Sequence, residues 1–214
     1  MKQLITSVFV LIVFASCAQT QGNTLKIPIA ENTKPSKNEA VATFAEGCFW
    51  HTEIVFQSLL GVRDAVSGFA GGSDKKPDYE KVSDGGTGHA ESVNVYYDPS
   101  KISFETLVKA FFASHDPTQV NRQGPDVGSQ YRSIAFYRNE QEKAIIENEI
   151  KKINDSKRYK NKVVTEVKPF MTFYPAEEYH QEYIYHHPGN PYVQNVSIRE
   201  YEQFRTTFAG PFKQ

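Results

Sequence analysis

Hydrophobic positions along the chain switch between a period of two and a period near 3.6. Residues 91–97, Glu-Ser-Val-Asn-Val-Tyr-Tyr, alternate with period two and predict a half-buried strand. Apolar runs over 41–44 and 62–69 predict two earlier strands, and those over 131–137 and 163–167 two later ones. Residues 49–60 carry a helical pattern with Gly61 placed as its C-cap. Ser103 caps an amphipathic helix that shows Leu107, Val108, Phe111 and Phe112 on one face. A charged helix over 140–153 carries Ile145, Ile146 and Ile150. Gly- and Pro-containing loops fill 73–89 and 116–130.

The resulting order, strand–helix–strand twice over, matches the split βαβ plait. The expected fold is therefore α+β: a two-layer α/β sandwich with a ferredoxin-like βαββαβ core and a mixed sheet. One extra helix and strand and long C-terminal loops would be added to it. The Tyr-rich stretch 174–185 reads as helical, and no element is assigned to the tail that follows.

The first segment has a different grammar. Met1-Lys2-Gln3 leads into an apolar run over 4–14 and then Ala15-Ser16-Cys17. A basic start, a short apolar stretch and small residues before a cut describe an export signal. The run is shorter than the ~20 residues a membrane-spanning helix needs. A cysteine directly after Ala-Ser resembles a bacterial lipobox, in which that Cys17 is acylated; Phe14 stands where Leu is commoner. The organisation expected is a lipoprotein signal peptide over 1–16, a lipidated Cys17 with a polar tether over 17–38, and a catalytic domain over 39–214. The expected location is the cell envelope, exported and lipid-anchored at the periplasmic or outer-membrane face.

Composition excludes several function classes. With 24 Lys and Arg against 25 Asp and Glu, the chain has no basic excess with which to displace phosphate counterions, so no nucleic-acid partner is expected. Aromatic residues make up 13%, too many for a disordered chain. Two cysteines, Cys17 and Cys48, cannot build a disulfide framework, an iron–sulfur site or a Cys-rich zinc site. His180, His186, His187 and Glu182 lie close in sequence but lack zinc spacing, so no metal is expected. Lys151, Lys152, Lys157 and Lys160 read as a solvated helix face.

Cys48 stands after a strand and a glycine, at the first turn of a predicted helix. Unpaired N–H groups and the helix dipole there favour an anion, which predicts a lowered thiol pKa and a nucleophile. Gly47-Cys48-Phe49-Trp50, followed by Glu53, resembles the signature of the A-type peptide methionine sulfoxide reductases. Further blocks resemble that family in order and spacing: Gly68-Phe69-Ala70-Gly71-Gly72, Tyr79-Glu80, Gly85 with Thr87-Gly88-His89-Ala90-Glu91, and Tyr97-Asp98-Pro99. So do His115-Asp116-Pro117-Thr118-Gln119, Asn121-Arg122-Gln123-Gly124 with Asp126, Gln130-Tyr131-Arg132-Ser133 and Glu177-Glu178-Tyr179-His180-Gln181.

The resemblance implies reduction of methionine S-sulfoxide, free or in proteins, through a Cys48 sulfenic acid. A thiolate displaces sulfoxide oxygen only if that oxygen is protonated or strongly hydrogen-bonded as the S–O bond breaks. Cys48 is then the nucleophile, and Glu91, raised in pKa by burial, the acid. By resemblance Tyr79 and Tyr131 donate to the oxygen, Phe49 and Trp50 enclose the S-methyl group, and Asp126 anchors the polar network. The expected partners are oxidised proteins, free methionine sulfoxide and a thiol reductant, either a small thiol or a thioredoxin-like protein. No other cofactor is expected, and the protein is read as a monomer.

Departures from the family's pattern are His51, where many relatives carry Gly, and Ser83-Asp84, where many carry Cys-Ser. The family's frequent C-terminal cysteines are missing as well, and His51 has no role assigned by sequence. Rival readings are a Cys–His acyltransferase or hydrolase using Cys48 with His89 or His51, and a surface-binding lipoprotein in which Cys48 is structural.

Overall fold

The computed structural model describes residues 34–214. The signal, the Cys17 lipobox and most of the tether lie outside the described residues. The folded unit begins at Ala40, where strand β1 (Ala40–Glu46) opens the order β1, α1 (Phe49–Gln57), β2 (Val62–Ala70), α2 (Tyr79–Ser83), β3 (Ala90–Tyr97), α3 (Phe104–Ser114). A short hairpin follows, β4 (Arg122–Gln123) and β5 (Asp126–Val127), then a 3₁₀ turn over Ser129–Tyr131 and β6 (Ser133–Tyr137). The chain continues as α4 (Glu140–Ser156), β7 (Glu166–Pro169), β8 (Phe173–Pro175), a 3₁₀ turn over Glu178–His180, α5 (Tyr183–His186), a π-helical turn over Val193–Ser197 and α6 (Ile198–Thr207).

The main sheet runs β7-β6-β1-β3-β2-β8. Its inner four strands, β6-β1-β3-β2, are antiparallel throughout and have the strand order of the βαββαβ plait. β7 joins one edge parallel to β6 and β8 joins the other antiparallel to β2, so the whole sheet is mixed.

One face of the sheet carries the main core. Phe44 of β1 stacks on Phe56 of α1 and Phe111 of α3, with ring centroids 5.1 and 5.0 Å apart. Helix α3 starts where the sequence places it: the Ser103 hydroxyl accepts from the Thr106 N–H at 3.1 Å. The opposite face carries a smaller core of Ala45, Ala70, Ala90, Ile134 and Phe136, closed by Phe170 and Phe173. Both faces are therefore covered. Strand β3, expected to be half-buried, is buried at all eight positions because it is the central strand.

Other boundaries moved as well. Helix α1 ends at Gln57 and is closed by Ser58 in a right-handed conformation. Gly61, expected as its C-cap, instead turns the chain into β2 with φ +95°. The C-terminal tail is more regular than expected: α6 packs on α1 and α3, and Phe212 bridges back to Leu59. The stretch read as one helix over 174–185 is part strand, part 3₁₀ turn and part helix, since Pro175 ends β8 and Glu182 takes a left-handed φ of +53°.

Gly68 shows how tightly β8 is packed. A Cβ there would lie 2.4 Å from the Tyr174 carbonyl oxygen and 2.4 Å from the Phe173 ring. Because backbone cannot yield as a flexible side chain does, Gly68→Ala is expected to cost about 1–3 kcal/mol and to loosen β8. Urea denaturation, with hydrogen exchange at Phe69 and Tyr174, measures both effects.

Candidate active site

Three loop segments meet at one end of the sheet: the 71–89 connection, the 116–132 hairpin region and the 176–192 stretch. Backbone and side-chain bonds tie them together. Arg132 donates to the Gly88 carbonyl at 2.9 Å and to the Ser129 carbonyl at 2.7 Å. Gln130 donates to the Ser83 carbonyl at 3.1 Å, and the Tyr79 N–H donates to Glu177 at 3.1 Å.

Among these loops lies a cavity of about 300 Å³ lined by Cys48, Phe49, Trp50, Tyr79, Glu91, Asp126, Tyr131, Asn190 and Tyr192. All seven catalytic and substrate-binding candidates within the described residues share this one cavity. They come from five separate parts of the chain. Cys48 leaves β1 through Gly47, whose φ of +115° suits glycine; a Cβ there would come within 2.7 Å of Gln123.

Cys48 is the N-cap residue of α1, is partly buried as a residue, and lines the cavity. The helix terminus acts differently from the sequence expectation. The Phe49 N–H donates to Glu91 Oε2 at 3.0 Å, so that donor serves the carboxyl group rather than the thiol. Desolvation and then the Glu91 charge push the Cys48 thiol well up, outweighing the Trp50 N–H that favours the thiolate. The expected lowering of its pKa is therefore reversed, because burial and a facing carboxyl outweigh one helix terminus.

Glu91 is almost fully buried, and desolvation raises it to about 8 against the Phe49 hydrogen bond that lowers it. It is mostly a neutral acid at pH 7. Burial likewise raises the Tyr79 and Tyr131 hydroxyls, which stay protonated donors. Tyr192 donates to Asp126 Oδ2 at 2.5 Å, while desolvation keeps the Asp126 carboxyl above its ordinary value. The site is thus poor in charge and rich in O–H groups, which suits a substrate whose oxygen gains negative charge as its bond breaks.

The apolar wall rests on the C-terminal segment. Trp50 stacks flat on Tyr183, centroids 3.6 Å apart at 4°, and donates Nε1–H to His180 Nδ1 at 3.2 Å. Burial lowers His180, which keeps its accepting nitrogen free of a proton. Phe49 is 1% exposed, so it is a core residue and a wall of the cavity at once.

A profile of the peptide methionine sulfoxide reductase family matches residues 40–211. The chain belongs to this family. It is an oxidoreductase that reduces methionine sulfoxide. The peptide methionine sulfoxide reductase MsrA 1 of Rhodopirellula baltica is 46% identical over 180 residues, covering 84% of this chain and 93% of that one. Among solved structures, reduced Mxr1 from Saccharomyces cerevisiae superimposes with a TM-score of 0.69 at 34% identity, covering 76% of this chain and 93% of that one. Mxr1 in complex with Trx2 aligns at a TM-score of 0.51 and 26% identity, covering 72% and 92% respectively.

The rival Cys–His reading loses its base. The ring nitrogens of His51 face the carbonyls of Ser114 at 3.2 Å and Ser197 at 3.4 Å, and those of His89 face the Gly72 N–H and the Asp74 carbonyl. Neither ring lines the reductase cavity. His51 instead bridges the end of α3 and the turn before α6. His186 neighbours Glu182 and His187 stacks on Tyr183; among the described residues no group of three or more His, Cys, Asp or Glu converges on a metal-sized position.

Tyr192 and Asn190 line the cavity without having been singled out from sequence. Their only local signal is Pro-Gly-Asn-Pro over 188–191, which marks a turn but not its destination. Glu53, part of the sequence signature but given no role there, is buried one helical turn beyond Trp50. It accepts from the Glu182 N–H at 3.0 Å and the Ser67 hydroxyl at 3.0 Å, joining α1 to β2 and to the segment that carries Tyr183.

Burial raises Glu53 from 4.5 to about 8. The folded state therefore keeps a proton that the unfolded chain releases above pH 4.5, so this group's contribution to stability declines as pH rises from 4.5 to about 8. Gln mimics the neutral acid, so Glu53→Gln is expected to leave stability near wild type at pH 5. At pH 8.5 it should exceed wild type by on the order of a few kcal/mol. Denaturant titrations at the two pH values measure this difference.

Proposed function

We propose that this chain reduces the S epimer of methionine sulfoxide, free and in proteins, by attack of the Cys48 sulfur on the sulfoxide sulfur. The observation that carries the reading is the Glu91 carboxyl, held protonated by burial beside Cys48 and tied to the Phe49 N–H. Glu91 gives its proton to the sulfoxide oxygen and takes the thiol proton in return, so the cavity never holds two negative charges. Tyr79 and Tyr131 donate to the same oxygen. Phe49 and Trp50 enclose the S-methyl group, and Asp126 with Tyr192 anchors the polar side. As the Cys48 sulfur bonds to the substrate sulfur, the doubly protonated oxygen leaves as water; water then adds to the Cys48 sulfur while the S–S bond breaks, releasing methionine, leaving Cys48 as a sulfenic acid and returning a proton to Glu91. Restriction to one epimer follows the rule of one enzyme per sulfoxide epimer and the resemblance to the A-type enzymes.

Regeneration needs an outside thiol. The sequence holds two cysteines, and acylation of Cys17 would leave Cys48 as the single free thiol. A thiol condenses with the sulfenic acid and releases water, and a second thiol then frees Cys48 with formation of a disulfide. A thioredoxin-like protein suits this role, in keeping with the solved complex of the related Mxr1 with Trx2. The lipobox at Ala15-Ser16-Cys17 supports an enzyme anchored at the cell envelope.

Two experiments test the reading. Cys48→Ser should abolish turnover on methionine S-sulfoxide with dithiothreitol while the fold persists. Glu91→Gln should slow the single-turnover step by about 10²–10⁴-fold. In wild type that step should fall as pH rises through about 8, where Glu91 loses its proton, and Glu91→Gln should lose this limb. Single-turnover rates that do not change with either substitution would refute the assignment.

The second experiment treats membrane-isolated protein with one equivalent of methionine sulfoxide and no reductant, then with a dimedone-type probe. Mass spectrometry should find the label on Cys48 and acyl chains on Cys17. A Cys17–Cys48 disulfide, or an unmodified Cys17 in a soluble protein, would refute the regeneration and anchoring readings.

A further inference from the structure

Among the described residues Met171 is the only methionine, and at 82% it is the most exposed of the large hydrophobic side chains. It sits in the connection over 170–172 that leads from β7 to β8 and belongs to neither strand. Its neighbours fix that connection to the surface. Phe170 and Phe173 close the smaller core, the Phe170 N–H donates to the Tyr137 carbonyl at 2.8 Å, and the Arg138 guanidinium lies over the Phe170 ring at 4.0 Å. Pro169, Met171 and Thr172 are left exposed. Met171 also lines a second cavity, of about 440 Å³, with Gly71, Phe136, Lys168 and Tyr174. At this exposure its thioether is open to oxidants.

The register of the sheet decides which active site can repair it. Successive residues of a strand point to opposite faces. In β3, Ala90 belongs to the smaller core while Val93 and Val95 belong to the main one, which puts Glu91 on the main-core face. Phe170 and Phe173 pack on the other face, and the cavity at Met171 shares no lining residue with the cavity at Cys48. The sheet therefore stands between Met171 and the Cys48 of its own chain. A second copy approaching from solvent meets an exposed side chain on an exposed connection, and its cavity of about 300 Å³ holds one such side chain.

We propose that Met171 is a reversible oxidation site and that each copy of this enzyme is a client of another copy. Hydrogen peroxide gives one oxygen atom to the Met171 sulfur and leaves as water. The Cys48 site of a second copy removes that oxygen, which ends as water, while two thiols of the reductant supply two electrons and become a disulfide. Oxidation of so exposed a sulfur forms both sulfoxide epimers in about equal amounts, whereas one enzyme serves one epimer. Each round of repair is thus incomplete. About half of Met171 is R-sulfoxide after one round of oxidation and repair, and about three quarters after two. The R-sulfoxide at Met171 becomes a cumulative record of oxidant exposure. The inference rests on the S-sulfoxide-reducing activity of the Cys48 site.

The test oxidises the Cys48→Ser variant, which cannot repair itself, with hydrogen peroxide; wild type alkylated at Cys48 is a second target that does not depend on the variant folding. Peptide mapping by mass spectrometry is expected to place one added oxygen on Met171, with a thermal unfolding midpoint close to that of the unoxidised target. A catalytic amount of wild type with dithiothreitol should then remove about half of that oxygen, and a second round should leave about three quarters of Met171 oxidised. Wild type whose Cys48 is protected as a mixed disulfide during oxidation, then freed with dithiothreitol, should recover with a rate constant that rises in proportion to protein concentration. No oxygen on Met171 under conditions that oxidise free methionine, no removal by wild type, complete removal, or recovery that dilution does not slow would each overturn the proposal. Reduction of free methionine S-sulfoxide in the same mixture locates such a failure at Met171; no reduction of either sulfoxide would instead refute the activity itself.

Discussion

The hydrogen bond from the Phe49 N–H to the Glu91 carboxyl organises this molecule. It joins the first turn of α1 to a central strand of the sheet, the two elements that place Cys48 and Glu91 in one cavity. A helix N-terminus ordinarily offers its N–H groups to an anion. Here one of them holds a buried carboxyl oxygen in place, and the nearby thiol shares the same low-dielectric space. Neither group then ionises readily: desolvation penalises the charged form of both, and a Glu91 charge would further oppose a thiolate. The resting site is a pair of neutral acids awaiting a substrate oxygen that can accept a proton.

The rest of the fold keeps that arrangement rigid. β3 is buried at every position, which holds Glu91 at the cavity, and Val93, Val95 and Tyr97 that follow it along the strand belong to the main core. Trp50 is held from below by Tyr183 and from the side by His180, both from a stretch more than a hundred residues away in sequence. That stretch is anchored in turn by Glu53, whose carboxyl accepts from the Glu182 N–H, and by Gln181, which bonds both the N–H and the carbonyl of Ser67 at 2.9 Å. The left-handed Glu182 turns the chain so that Tyr183 can lie flat on the indole. Two buried carboxyl groups therefore do different work: Glu91 lines the cavity beside Cys48, and Glu53 holds the wall behind Trp50.

Having one thiol in the cavity also shapes the chemistry. Many catalytic cysteines are ionised by a neighbouring histidine, but here both candidate histidines are occupied by backbone groups elsewhere. The carboxyl that lines the cavity beside Cys48, Glu91, has a pKa set by exclusion of water rather than by a partner base. Such a site has little use for a histidine. His51, which departs from the family's common glycine, serves instead as a brace between α3 and the turn leading into α6.

Much of this was legible in the residues alone. The alternation at 91–97, the Ser103 cap and the strand–helix order specify the plait, because each depends on local periodicity and capping chemistry that neighbouring residues supply. The blocks around Cys48, Tyr79, Glu91, Asp126 and Tyr131 identify the family and its candidate residues, since residue type and spacing survive in the linear chain. Tertiary structure decided three other matters. It reversed the expected effect of the helix terminus on Cys48, because desolvation and the Glu91 charge depend on what packs around the sulfur. It made β3 fully buried, because a strand's exposure is set by its place in the sheet and not by its own alternation. It brought Tyr192 and Asn190 to the cavity and Tyr183 behind Trp50, because a Pro-Gly-Asn-Pro turn signals a change of direction, while the place to which the chain returns is fixed by contacts with Trp50 and Asp126 far earlier in the chain.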